Sequence, residues 1–234
     1  MATTASPNMC ECQGGIMAVP KGDKSYVPTG VKNFTDKQEK LLYMIYKNEG
    51  GYTYLPGDSG QETYRGIARA YHPDWSGWKT IDKLKAEKNV SQLERGTDIP
   101  ELQNEVYQFY YDTYYKPMHI DDYKDVIMAG LVLHRGVGMG SGNMGKLVTR
   151  AVNKTFGKGY SEPGGAKCPT NTVFADVNGD RSADVTENFV KVAMERYLEI
   201  DNAKKKKDPN YPGYYKGWCN SIYKDIAYLK ANFS

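Results

Sequence analysis

Apolar positions recur at helical spacing through most of the chain. From Thr35 the pattern opens with a capping box, Thr35 with Gln38 three residues on. Leu41, Leu42 and Ile45 follow as one buried stripe, with Met44 beside it. Gly50 and Gly51 supply a left-handed stop for this helix. The period then breaks. Tyr52 to Gly66 is rich in turn residues, with Pro56-Gly57 and Ser59-Gly60 between short stretches that read as a small β-hairpin. Ile67 to Tyr71 reads as a short helix stopped before Pro73, and Ile81 to Lys88 as another turn or two. Pro100 opens a longer helix with Leu102, Val106, Phe109, Tyr110 and Thr113 on one face, ended by Pro117. Asp125 to His134 reads as a buried helix, and a glycine-dense bend leads to another from Met144 to Phe156. Gly157 to Thr170 is a loop. Val185 to Ala203 and about Trp218 to Lys230 complete the helices. The predicted class is mainly α with one small β element.

Three regions follow from this pattern. Residues 1–33 lack periodicity and read as a loosely ordered leader. Residues 34–122 hold the hairpin and the helices around it, and 123–234 form a helical region packed against them. At 234 residues the chain can bury a sizeable core. Its net charge of +3 suits an anionic wall polymer and is too small to argue for nucleic acid. Val126 to Leu133 is too short to span a bilayer, so membrane insertion is not expected. Met1 to Gly15 has neither the basic start nor the apolar stretch of a secretory signal. Extracellular work would then need holins or a secretion machine. Cys10, Cys12, Cys168 and Cys219 read as reduced thiols, and the Cys10-Glu-Cys12 pair alone is weak metal evidence.

The hairpin carries the candidate chemistry. Glu49 closes the first helix, Asp58 follows nine positions on, and Thr63 five after that. Breaking a glycosidic bond requires a proton donor at the leaving oxygen and passes through an oxocarbenium-like transition state. A glutamate does this near neutral pH only if burial or the negative end of a helix dipole disfavours its anion. Glu49 stands at such a helix end, with two glycines leaving room for a polymer. Asp58, in a polar turn, stays ionised to orient water or stabilise the cation, and Thr63 holds the water. The same residues also fit a solvated helix end and an ordinary turn.

Glu49-Gly-Gly-Tyr52, Pro56-Gly-Asp58, Gly60, Thr63 and Gly66-Ile67 together resemble the signature of glycoside hydrolase family 108. That family comprises N-acetylmuramidases, or lysozymes, of bacteria and phages. His134-Arg-Gly136 and Tyr215-Lys-Gly-Trp218 resemble its C-terminal half, usually described as a peptidoglycan-binding region, so the likeness runs from about residue 38 to 230. It implies a lysozyme-like helical fold with the hairpin next to the catalytic helix. It implies catalytic Glu49, Asp58 and Thr63, substrate contacts at Tyr52, Tyr64, Arg135 and Trp218, peptidoglycan as substrate, and no required cofactor. Two positions depart from the pattern: Gln61 follows Gly60, and Arg135 stands where an Asn is common. The rival readings are a lytic transglycosylase, in which one glutamate serves as acid and base, and a wall-binding module without turnover. Asp58 at its spacing favours hydrolysis. A phage endolysin and an injected toxin both fit, and an immunity protein is the expected partner of a toxin.

A second cluster is acidic. Asp176, Asn178, Asp180, Ser182 and Asp184, with Glu187 at position twelve, follow the spacing of an EF-hand loop, with Arg181 where that loop needs glycine. Its two readings are a structural calcium site and an acidic loop capping the next helix. Gly140-Ser-Gly142-Asn-Met-Gly145 follows a helix rather than a strand, which argues against a dinucleotide site. His72, His119 and His134 lack zinc-ligand spacing.

Overall fold

The structure is a computed structural model and describes residues 33–57 and 60–233. Eight α-helices and one three-stranded antiparallel sheet form the described part, a mainly α, lysozyme-like arrangement. It divides into two compact units, one ending at Asp121 and the other beginning at Asp122. No helix among the described residues is long and apolar enough to cross a membrane.

The first unit opens with α1, Asp36–Asn48, whose N-terminus forms the expected reciprocal box between Thr35 and Gln38. Leu41, Leu42, Met44 and Ile45 are all buried on it. The helix does not end in a left-handed glycine. Glu49 itself turns extended, at φ −83° and ψ 135°, while its N–H still donates to the Ile45 carbonyl. The need for glycine lies at Gly51: a Cβ there would stand 2.6 Å from the carbonyl oxygens of both Gly96 and Thr97. That turn lies so close because Tyr52 exchanges two backbone hydrogen bonds with it.

Strands β1 (Tyr52–Tyr54), β2 (Glu62–Tyr64) and β3 (Ile67–Ala68) form the sheet in sequence order. The register sets Tyr52 against Tyr64 and Tyr64 against Ile67. All three are fully buried, so this row is the sheet's core face. Thr53, Thr63 and Ala68 form the opposite, half-exposed row. The short helix expected from Ile67 is a strand instead. Arg65 at φ 48° and Gly66 at φ 75° make a two-residue turn of the kind that matches strand twist, and it folds Ile67 back onto Tyr64.

Helix α2 (Gly77–Glu87) reaches the central strand β2 through Lys85, which donates to Glu62, and α3 (Gln103–Tyr110) packs on α1. Immediately after Tyr110 the helix widens into a π turn, Tyr111–Tyr115, with Lys116 N–H donating to the Tyr111 carbonyl at 2.9 Å.

The second unit holds α4 (Val126–Met139), α5 (Met144–Phe156), α6 (Asn171–Val177), α7 (Ser182–Lys207) and α8 (Tyr215–Asn232). Asp125 caps α4 by accepting from Ile127 N–H at 2.8 Å. The α5 stripe of Leu147, Val148, Ala151 and Val152 packs on α7, which contributes Val185, Phe189, Val192 and Ala193. Lysines 204–207 form the last turn of α7 rather than following it, where positive charge complements the helix dipole.

Candidate functional site

Glu49 is half-buried at the C-terminal end of α1. Its carboxyl lies against the β2–β3 turn: a Cβ on Gly66 would meet Glu49 Oε2 at 2.6 Å and the Tyr110 hydroxyl at 2.5 Å. Gly66 is therefore required twice, once for its positive φ and once for this approach. Gly50, the next residue, is exposed and has no neighbour within 4 Å of where a Cβ would stand.

Two tyrosines of α3 and its π turn complete the surroundings. Burial raises the Tyr110 phenol well above its ordinary value, and the charge on Glu49 raises it further. Burial and then Glu49 do the same to Tyr114. Tyr110 donates its hydroxyl to the Arg65 carbonyl at 2.7 Å. Tyr114 is only half-buried and lies in an aromatic group with Phe109, whose ring edge also meets His72 at 4.7 Å between centroids.

Arg65 belongs to the same turn. Its guanidinium donates to the carbonyls of Tyr46, at 2.9 Å, and Glu49, at 2.8 Å, which are two of the unpaired acceptors at the end of α1. It lies over the Tyr46 ring at 4.0 Å and pairs with Asp98 at 2.7 Å. Asp98 also accepts from the hydroxyls of Tyr46 and Tyr64. Burial pushes the Asp98 carboxyl up, but hydrogen bonds from Arg65 and Tyr46 outweigh it and hold it below its ordinary value. Arg65, Asp98, Tyr110 and Tyr114 were not among the residues expected from sequence. The only signal for Arg65 was its place before Gly66 in the turn.

A second charged group supports the sheet from the side of α2. Glu62 is buried and accepts from Tyr52, Arg69 and Lys85 at 2.6–2.7 Å. Arg69 forks onto Asp82 with bonds of 2.8 and 2.6 Å. Burial pushes Glu62 up, yet Lys85, Tyr52 and Arg69 bring it below its ordinary value.

The structure sorts the expected site residues. Glu49 and the Gly66 turn meet. Thr63 sits in the half-exposed row of the sheet, with Thr53 and Ala68. Asp58 lies outside the described residues, as do Cys10, Cys12 and nearly all of the leader. Tyr52 and Tyr64 offer no surface to a substrate: both are fully buried, with their hydroxyls spent on Glu62 and on Asp98 and Ile99. Arg135 is also sealed, at 1% exposure. Its guanidinium donates to Asp225, to Ser221 at 2.9 Å and to Tyr197 at 3.2 Å, which ties α4 to α7 and α8. Trp218, on α8, is half-buried and stacks on Tyr197 at 5.0 Å.

Helices take up much of the acidic cluster: Asp176 lies in α6, and Asp184 and Glu187 lie in α7. Lys158 holds Asp176, Arg181 holds Asp184 and Lys191 holds Glu187. The Asn178 amide donates to the Asp122 carbonyl and accepts from Lys124 N–H. Asp180 lies in the exposed turn between the two helices. Among the described residues no group of three or more His, Cys, Asp or Glu side chains converges as a metal site would require. Cys168 is a free thiol, and Cys219 is buried on α8.

The glycosyl hydrolase 108 family model matches residues 42–140. The match begins within α1 and runs through the sheet, α2 and α3 to the end of α4. It stops short of Tyr215 to Trp218, so the likeness drawn from that late segment lies beyond it. No curated protein matches the chain. Among solved structures, that titled Brucella abortus SagA is similar with a TM-score of 0.51 at 16% identity, covering 83% of this chain and 94% of that one. At that identity the likeness is one of fold.

Proposed function

We propose that this chain hydrolyses peptidoglycan, cutting the bond between N-acetylmuramic acid and N-acetylglucosamine with Glu49 as general acid. The observation that carries this reading is the seat of the Glu49 carboxyl. It lies at the end of α1 against the Gly66 turn and the Tyr110 hydroxyl, beside the exposed Gly50. The family match over residues 42–140 supplies the reaction class.

In this mechanism the protonated Glu49 carboxyl donates to the glycosidic oxygen as the bond to the sugar carbon lengthens and positive charge spreads over the ring. The alcohol departs with that proton, and water attacks the cation. Asp58 is assigned the anion that orients this water or steadies the cation, and the Thr63 hydroxyl a contact to the water. The half-exposed position of Thr63 supports that role. In the second unit, Trp218 and the exposed Tyr214, with Lys204 over the Trp218 ring at 5.9 Å, are the surface assigned to holding the anionic polymer.

The test is digestion of purified peptidoglycan with product identification by mass. Fragments with reducing N-acetylmuramic ends are expected. Anhydro-muramic ends would make the chain a lytic transglycosylase, reducing N-acetylglucosamine ends would move the cut to the other bond, and no fragments would leave a wall binder.

A further inference from the structure

We infer that Arg65 is a positioning residue for the proposed reaction: it holds the end of α1 that carries Glu49 and sets how firmly that carboxyl keeps its proton. The inference rests on the reading of Glu49 as general acid and adds to it a control element that the reading itself does not require.

The geometry gives Arg65 two connections to Glu49. The first is mechanical. Its side chain bonds the Glu49 and Tyr46 carbonyls, while its own carbonyl accepts from Tyr110. The next residue, Gly66, is the one against which the Glu49 carboxyl rests. The turn thus grips both ends of the same short segment, backbone through the guanidinium and side chain through Gly66. Asp98 and the Tyr46 ring in turn fix the guanidinium, at 2.7 and 4.0 Å. Such a grip keeps the acid from wandering, and a shift of about 1 Å at a reacting group can cost about 10²-fold in rate.

The second connection is electrostatic. The bare C-terminus of a helix carries partial negative charge and raises the proton affinity of a carboxyl beside it. Here that end holds a guanidinium, half-buried and therefore poorly screened. Arg65 opposes the helix end, so that the acid can release its proton in the transition state rather than hold it too tightly. The titratable and charged groups facing this corner are Tyr46 from α1, Tyr64 and Arg65 from the sheet, Asp98 from the loop before α3, and Tyr110 and Tyr114 from α3 and its π turn. Lys47, in the last turn of α1, is an exposed cation, whereas Arg65 is the cation bonded to the Glu49 backbone.

The experiment compares Arg65→Met and Arg65→Lys with the unaltered chain in two measurements, both at a temperature where each is folded. One is the pH titration of the Glu49 side-chain carboxyl by carbon-13 NMR, assigned with Glu49→Gln, which needs no turnover. The other is kcat and KM on soluble peptidoglycan fragments across pH. Arg65→Met is expected to move the Glu49 midpoint and the alkaline limb of the rate profile upward together. Its kcat should fall by roughly 10- to 100-fold while KM changes little. Arg65→Lys, which keeps the charge and loses the fork, should leave the midpoint near its original place and recover only part of kcat. An unmoved midpoint in Arg65→Met overturns the inference, even if kcat falls with thermal stability, because Arg65 would then be a structural brace. If Arg65→Met does not fold, Asp98→Asn takes its place: it frees the guanidinium, and an unchanged kcat and midpoint there would overturn the inference equally. Absence of turnover in the unaltered chain would sink the proposed function instead, and the NMR titration would still decide the role of Arg65.

Discussion

Arg65 and Arg135 each meet an aspartate, and the two pairs are built differently. In the unit ending at Asp121, Arg65 leans on an Asp98 that is half-exposed, and spends its other donors on the end of the helix that bears Glu49. In the unit beginning at Asp122, Arg135 and Asp225 are both sealed at 1% side-chain exposure, with His134, Ser221 and Tyr197 around them. The first pair is partly exposed. The second is a strut among three helices. A partly exposed ion pair at a helix end can tune a neighbouring acid, whereas a pair shut away from water can only hold elements together, at the risk of stranding a charge if one partner is lost.

The sharpest way to break this contrast is to remove Arg135. Arg135→Met takes from the buried Asp225 the guanidinium paired with it, and should cost about 3–5 kcal/mol of stability. Denaturant melts would read this, and turnover per folded molecule should survive. A variant of normal stability that loses turnover would return Arg135 to the substrate surface.

Gly66→Ala probes the other side with a smaller stability change. The positive φ should cost about 1–2 kcal/mol. The added methyl would also press on Glu49 and the Tyr110 hydroxyl, so activity should fall further than stability alone explains. Comparing melts with initial rates separates the two, and retained activity would mean the turn does not seat the acid.

The smallest expected effect concerns the charged group beneath the sheet. Glu62 is held below the ordinary glutamate value of 4.5. Its pairing therefore contributes stability that is fully present above that value and is lost as pH falls through the lower, folded-state value. Glu62→Gln should weaken the chain near neutral pH and show a smaller further drop in melting temperature on acidification. An equal drop in both proteins would mean the bonds to Lys85, Arg69 and Tyr52 do not carry that dependence.

Much of this architecture was legible beforehand where local chemistry decides it. The Thr35–Gln38 box, the buried stripe of α1 and the buried run of α4 follow from short-range patterns and appear as expected. Glu49 at a helix end was legible for the same reason. What escaped notice was contact between distant residues. Arg65 to Asp98 spans 33 positions and Tyr110 to Arg65 spans 45, and nothing in periodicity links them. The helix-end argument for Glu49 was accordingly incomplete, since the sequence does not show a guanidinium capping that end. The family resemblance implies substrate contacts at Tyr52, Tyr64 and Arg135. Each instead found a buried partner, which such amphipathic side chains do as readily. The acidic cluster kept EF-hand spacing but lacked the glycine at Arg181, and α7 begins one residue later at Ser182.

The most direct test of Glu49 is the rate at which reducing ends appear when purified peptidoglycan is digested with the unaltered chain and with Glu49→Gln, matched by circular dichroism and melting temperature. Loss of the proton donor should lower that rate by about 10²- to 10⁴-fold. Equal rates from the two folded proteins would contradict the assignment and remove Glu49 from the chemistry.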